Sequence, residues 1–124
     1  MKEAFFSDEA PAAGGPYSHA VRAGDTIYLA GQVPVDPETG SQPSGFQEQA
    51  RQAFRNLEAV ARAAGSSLAD AVRVGVYLRD MNDFQAMNAV FAEFVPEPYP
   101  VRTTIQSDLP GFAIEIDAVL YVGG

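Results

Sequence analysis

The sequence predicts an α+β domain, one sheet with two helices packed on a single face. Three observations predict it. Five stretches have strand composition or strand alternation, two others carry apolar residues at helical spacing, and the order is strand, strand, helix, strand, helix, strand, strand. The 124 residues suit one domain, 1–124, with a real core and no room for a second. A balance of 47% hydrophobic and 19% charged residues places the chain among ordinary globular proteins rather than disordered ones.

Ala10-Pro11-Ala12-Ala13-Gly14-Gly15-Pro16 reads as a small-residue loop leading into Tyr17. Tyr17 to Val21 and Asp25 to Ala30 read as two short strands joined at Ala23-Gly24. Asp36-Pro37-Glu38-Thr39-Gly40 is a turn by its own chemistry, Pro suiting the second position and Gly the left-handed one; its acids lack calcium-loop spacing. Ser44 and Gln47 have the spacing of a capping box, and Phe46, Ala50, Ala53, Phe54, Leu57, Val60, Ala61 and Ala64 form the apolar stripe of a helix that Gly65 ends. Val72, Val74, Val76 and Leu78 alternate with polar residues and predict a strand. A second helix runs from about Asp83 to Phe94, where Phe84, Met87, Phe91 and Phe94 share a face and Pro96 and Pro98 forbid continuation. Phe91 and Phe94 are read as core. Asn88 lies near the edge of that face.

The last two runs, Val101 to Gln106 and Phe112 to Val122, flank the turn Asp108-Leu109-Pro110-Gly111. Paired as an antiparallel hairpin, they would set Thr104 opposite Glu115 and Arg102 diagonal to it, roughly 7 Å away. Two readings of that cluster stand at this point. One is a cross-strand ion pair on a half-wet sheet; the other is an anion site, in which a planar guanidinium takes a carboxylate and a nearby Glu orients or deprotonates water. Two helices cover only one sheet face, yet Ala30, Val119 and Tyr121 on the other are apolar. A neighbouring subunit is the simplest cover.

A net charge of −8 repels phosphate backbones, and the few cations form no cluster, so nucleic acid is not the expected partner. With no cysteine, disulfides and thiolate chemistry are excluded, in keeping with a reducing compartment. The acidic start lacks a signal pattern and no apolar run approaches a membrane span, so no membrane partner and a cytoplasmic location are expected.

Five ordered blocks carry a resemblance. Ala10-Pro11-Ala12-Ala13 with Gly15-Pro16-Tyr17-Ser18, Gly31 through Gly40, Asn88, Pro100-Val101-Arg102-Thr103-Thr104 and Ile114-Glu115-Ile116-Asp117-Ala118 together resemble the Rid family, also called YjgF-type proteins, over nearly the whole chain. The resemblance implies a chorismate-mutase-like fold, a homotrimer, and clefts at the subunit interfaces. It also implies metal-independent hydrolysis of enamines and imines such as 2-aminoacrylate and 2-iminopropionate to the 2-keto acid and ammonia, with no cofactor. By the same resemblance Arg102 holds the substrate carboxylate and Glu115 positions the attacking water. Tyr17, Gly31 and Asn88 line the cleft, and Thr104 stands where relatives often have Cys or Ser. Ala30 departs from the Ser common in relatives and removes a hydroxyl. His19, where Gln is frequent, is read as a loop or cleft-rim residue, not a base. A ligand-binding regulator of keto or amino acids is the alternative function, and an endoribonuclease a weaker one.

Overall fold

A computed structural model covers residues 1–124. Its strands are β1 (Glu3–Phe5), β2 (Ala20–Ala23), β3 (Thr26–Gln32), β4 (Ala71–Leu78), β5 (Val101–Gln106) and β6 (Ile114–Tyr121), and its helices are α1 (Phe46–Ala63) and α2 (Phe84–Phe94). All six strands make one sheet in the order β1-β2-β3-β6-β4-β5. The pairs are antiparallel except β4 with β5, which are parallel. Both helices lie on one face, as the sequence predicts, and α1 packs on β3, β6 and α2. No helix is long and apolar enough to cross a membrane.

The expected hairpin between β5 and β6 does not form. Strand β4 lies between them, pairing Val74 with Arg102 on one side and with Ala118 on the other. The reason is the helix: β4, α2 and β5 make a strand–helix–strand crossover, and such a connection returns the chain parallel to where it left. The segment from Ser107 to Ala113 then carries the chain past β4 to the start of β6. Ser107 N–H donates to Leu78 O, and Arg79 N–H donates to Ala113 O, so the end of β4 is gripped from both sides.

Alternation sorts the side chains. Ile27, Leu29, Val74, Val76, Leu78, Ile114, Ile116, Ala118 and Leu120 face the helices and are buried against Phe54, Leu57, Val60, Met87, Val90 and Phe91. Each Val-sized burial contributes roughly 1.5 to 3 kcal/mol. Phe54 lies at the centre of the helix contact, edge-on to Phe91 at 5.8 Å and stacked on Phe94 at 5.5 Å. The opposite face is open: Tyr28, Val101, Ile105 and Tyr121 are each about half exposed or more.

Three local expectations change. The first helix is capped by Gly45, at φ 84°, with no side-chain cap bond, so Ser44 and Gln47 form no capping box. Tyr17 and Ser18 precede the second strand instead of opening it, because the sheet pairing begins at Ala20 opposite Leu29. His19 is buried, not at a rim: its Nδ1 accepts the Ser7 N–H at 3.0 Å and its Nε2–H donates to Pro11 O at 2.8 Å. The turn at Asp36–Gly40 forms as predicted, Gly40 adopting φ 75° and donating its N–H to Asp36 O.

Candidate functional site

Arg102 sits on the edge strand β5, in one row with Val74 and Ala118, and therefore on the helix-covered face. Its guanidinium carbon lies 4.9 Å from the Phe91 ring centre and 5.5 Å from that of Phe84, and Nη1 donates to Met87 Sδ at 3.7 Å. These three residues come from α2, whose 84, 87 and 91 positions share a face at helical spacing. No carboxylate pairs with the guanidinium: the ion pairs of the chain engage Arg22, Arg51, Arg62 and Arg73 instead. Burial lowers its pKa from the ordinary guanidinium value, without threatening a charge that stays on at any working pH. A half-buried cation resting on two ring faces and lacking a counter-ion has the chemistry to take an anion.

Beside it lies a depression of about 390 Å³ lined by Asn88, Phe91, Ala92, Tyr99, Pro100 and Arg102. Asn88 is one helical turn from both Phe84 and Phe91, and its only side-chain hydrogen bond is a long one to Gln85, 3.4 Å. Thr104, two residues along β5 from Arg102 and on the same face, has a buried hydroxyl with no hydrogen-bond partner. Such a hydroxyl costs about 1–3 kcal/mol until something bonds to it. Arg102 and Asn88, two residues singled out by the sequence, thus line one depression, and Thr104, a third, lies further along the same strand face.

Glu115 and Gly31 form another. Glu115 pairs in register with Tyr77 on β4, on the open face. Its carboxylate lies over Gly31, where any Cβ would collide with Oε2. Burial, and after it the charge of Asp117, raises the Glu115 pKa above the ordinary carboxylate value. Tyr17 is half exposed, its hydroxyl accepting the Gly14 N–H at 3.1 Å, and it stands two residues before His19, whose carbonyl accepts the Ala30 N–H. Ala30 itself brings no side-chain hydrogen-bonding group to this edge.

Within a single chain, therefore, Arg102 and Glu115 occupy opposite faces of the sheet, and the expected diagonal contact between them is absent. Sequence reasoning also missed how Arg102 is supported. Phe91 is core, 6% exposed, yet its ring doubles as the guanidinium's platform; the 84-87-91 spacing carried that signal once β5 is set beside β4.

The fold and this edge define a small α+β domain equipped to take a small anion. A family profile described as Endoribonuclease L-PSP matches residues 7–122. A RutC family protein of Pyrococcus horikoshii is 47% identical over 98% of each chain, and the 2-iminobutanoate/2-iminopropanoate deaminase of Dermatophagoides farinae is 40% identical over 91% of each. Among solved structures, RidA from the Antarctic bacterium Psychrobacter sp. matches with a TM-score of 0.92 at 44% identity, covering 97% of this chain and 99% of that one. The chain belongs to the YjgF/RidA family.

Proposed function

We propose that the protein hydrolyses 2-imino acids and their enamine tautomers to 2-keto acids and ammonia, in clefts built between the subunits of a homotrimer. The observation that carries this reading is Arg102: a half-buried guanidinium on two aromatic rings, with no carboxylate partner and with the orphan Thr104 hydroxyl beside it. The name of the mite relative, a deaminase, supports it. Because Arg102 and Glu115 lie on opposite sheet faces, they reach one small molecule only if different chains supply them.

The chemistry needs little else. Arg102 holds the substrate carboxylate in a fork, and Asn88 and Thr104 offer further hydrogen bonds. A water attacks the carbon of the protonated imine while Glu115 takes one of its protons, giving a neutral carbinolamine. Glu115 returns that proton to the nitrogen, and as the carbon–nitrogen bond breaks and ammonia leaves, the hydroxyl proton passes back to Glu115 and on to solvent, leaving the ketone. A carboxylate held above its ordinary pKa is a stronger base for the first step and a ready donor for the second.

A keto-acid or amino-acid sensor would use the same receptor without turnover. Ribonuclease chemistry has less to work with, since the single His is buried with both ring nitrogens engaged and the chain carries a net charge of −8. The test generates imines with an amino-acid oxidase and traps the survivors with semicarbazide. Arg102→Ala is expected to lose roughly 30-fold to several thousandfold in kcat/KM, much of it in KM, with Arg102→Lys recovering part. Glu115→Gln is expected to lose about 10² to 10⁴ in kcat with little change in KM. Wild-type clearance by folded Arg102→Ala, or no acceleration by the wild-type protein, would sink the reading.

A further inference from the structure

Next to Glu115, on the same face of β6, a second carboxylate is held far more firmly. Asp117 Oδ2 accepts the Tyr77 hydroxyl at 2.9 Å, and Asp117 Oδ1 lies 3.4 Å from Arg73 Nη1. Both Asp117 and Arg73 are only partly exposed, at 29% and 43% of their side chains. The three groups converge over Gly75, the residue opposite Asp117 on β4, where a Cβ would strike Asp117 Oδ1 and crowd both Arg73 and the Tyr77 hydroxyl. Tyr77 is meanwhile the register partner of Glu115. Its backbone thus stands opposite the residue that bears one carboxylate, while its hydroxyl ties down the other.

We propose that Asp117, held by Tyr77 and Arg73, is a positioning residue for Glu115, fixing its carboxylate between Gly31 and Tyr77 and setting its strength as a base. The proposal rests on the reading of Glu115 as the group that moves the water's proton. Two negative charges one pleat apart resist each other, so a fixed Asp117 makes Glu115 hold its proton more tightly. The Tyr77 hydroxyl and Arg73 hold the Asp117 carboxylate in place one pleat from Glu115. The Tyr77 pKa is raised, first by this hydrogen bond and then by burial, which keeps its hydroxyl a donor across the working range. The other titratable or charged groups on this face are Tyr28 of β3, Tyr121 of β6 and Arg79, just past β4; β5 presents Val101, Thr103 and Ile105. In the proposed trimer Arg102 of a neighbouring subunit also faces Glu115, and bound substrate carboxylate offsets that cation.

The experiment follows Glu115 directly. Its side-chain carboxyl is titrated by carbon-detected NMR in wild type, Asp117→Asn and Asp117→Glu, and the pH profile of kcat is recorded for the same proteins after their folding and mass are checked. In Asp117→Asn the Glu115 midpoint should move to lower pH, the acidic limb of kcat should follow it, and the plateau should fall about three- to tenfold because the base is weaker. KM should stay within about twofold, and Asp117→Glu should restore both midpoint and limb. If Asp117→Asn does not fold, Tyr77→Phe removes one oxygen and should move the midpoint the same way by less. An unmoved midpoint, or a moved midpoint with an unmoved kcat limb, overturns the positioning role while a dead Glu115→Gln leaves the function intact. Full activity in Glu115→Gln overturns the reading of Glu115 and the positioning role together.

Discussion

Glu115 keeps its place because its neighbour on β3 has no side chain. Gly31 has an ordinary φ, so its value is spatial: the carboxylate occupies the volume a methyl group would need. A Cβ there meets the far end of a flexible side chain, which can swing away, and so the fold should tolerate Gly31→Ala while the carboxylate does not stay put. A displacement of about 1 Å at a reacting group is enough to cost on the order of 10² in rate. Gly31→Ala is therefore expected to lower kcat by about 10- to 100-fold with the melting temperature nearly unchanged. The control is the double variant: in a Glu115→Ala background, Gly31→Ala should cost nothing further, because the group it displaces is gone. An equal loss in both backgrounds would mean that Gly31 acts on something other than Glu115.

At the scale of elements, the stretch from Ser7 to Pro11, between β1 and β2, is tied back by the side chain of His19. His19 bonds Ser7 N–H and Pro11 O from a buried position, and Phe6 packs on its ring at 5.6 Å. A glutamine amide has an oxygen for the first partner and an NH₂ for the second, so His19→Gln should unfold within about 1 kcal/mol of wild type, whereas His19→Ala should lose about 1–3 kcal/mol by stranding both backbone groups. Chemical denaturation reads both; equal losses would show that ring packing, not hydrogen bonding, holds the segment. The sequence made the helices, the turn at Asp36–Gly40 and the one-faced sheet legible because each follows from local period or turn chemistry. It hid the strand order. Alternation says which face Arg102 and Glu115 take within their own runs, but only the position of β4 says that those faces are opposite ones. It hid Asn56 for a similar reason: a polar residue in the apolar stripe of α1, it is buried because its Nδ2 donates to Val33 O and Val35 O, both 2.9 Å away, across a distant loop.

For the whole molecule, the two halves of the proposed site pose a geometric question that one chain cannot answer. Arg102 and Asn88 line one depression at the helix-covered edge, with Thr104 on the same face of β5, Glu115 and Gly31 lie on the open face, and that face exposes Tyr28, Val101, Ile105 and Tyr121. A closed ring of three copies would cover such a face and carry the Arg102 edge of one subunit to the Glu115 face of the next. Mixing separates this arrangement from any in which both residues of a site come from one chain. Arg102→Ala and Glu115→Gln, each expected to have lost most activity, are to be unfolded together in equal amounts and refolded. If each site takes Arg102 from one subunit and Glu115 from its neighbour, a site is intact when the first subunit is Glu115→Gln and the second is Arg102→Ala, so about a quarter of all sites recover. If both residues come from the same chain, none does. The measurement is specific activity after refolding, with light scattering to give the assembly mass and each variant refolded alone as the control. Activity near one quarter of wild type supports the shared cleft; activity no higher than that of the separate variants, in mixed particles of trimer mass, would remove it.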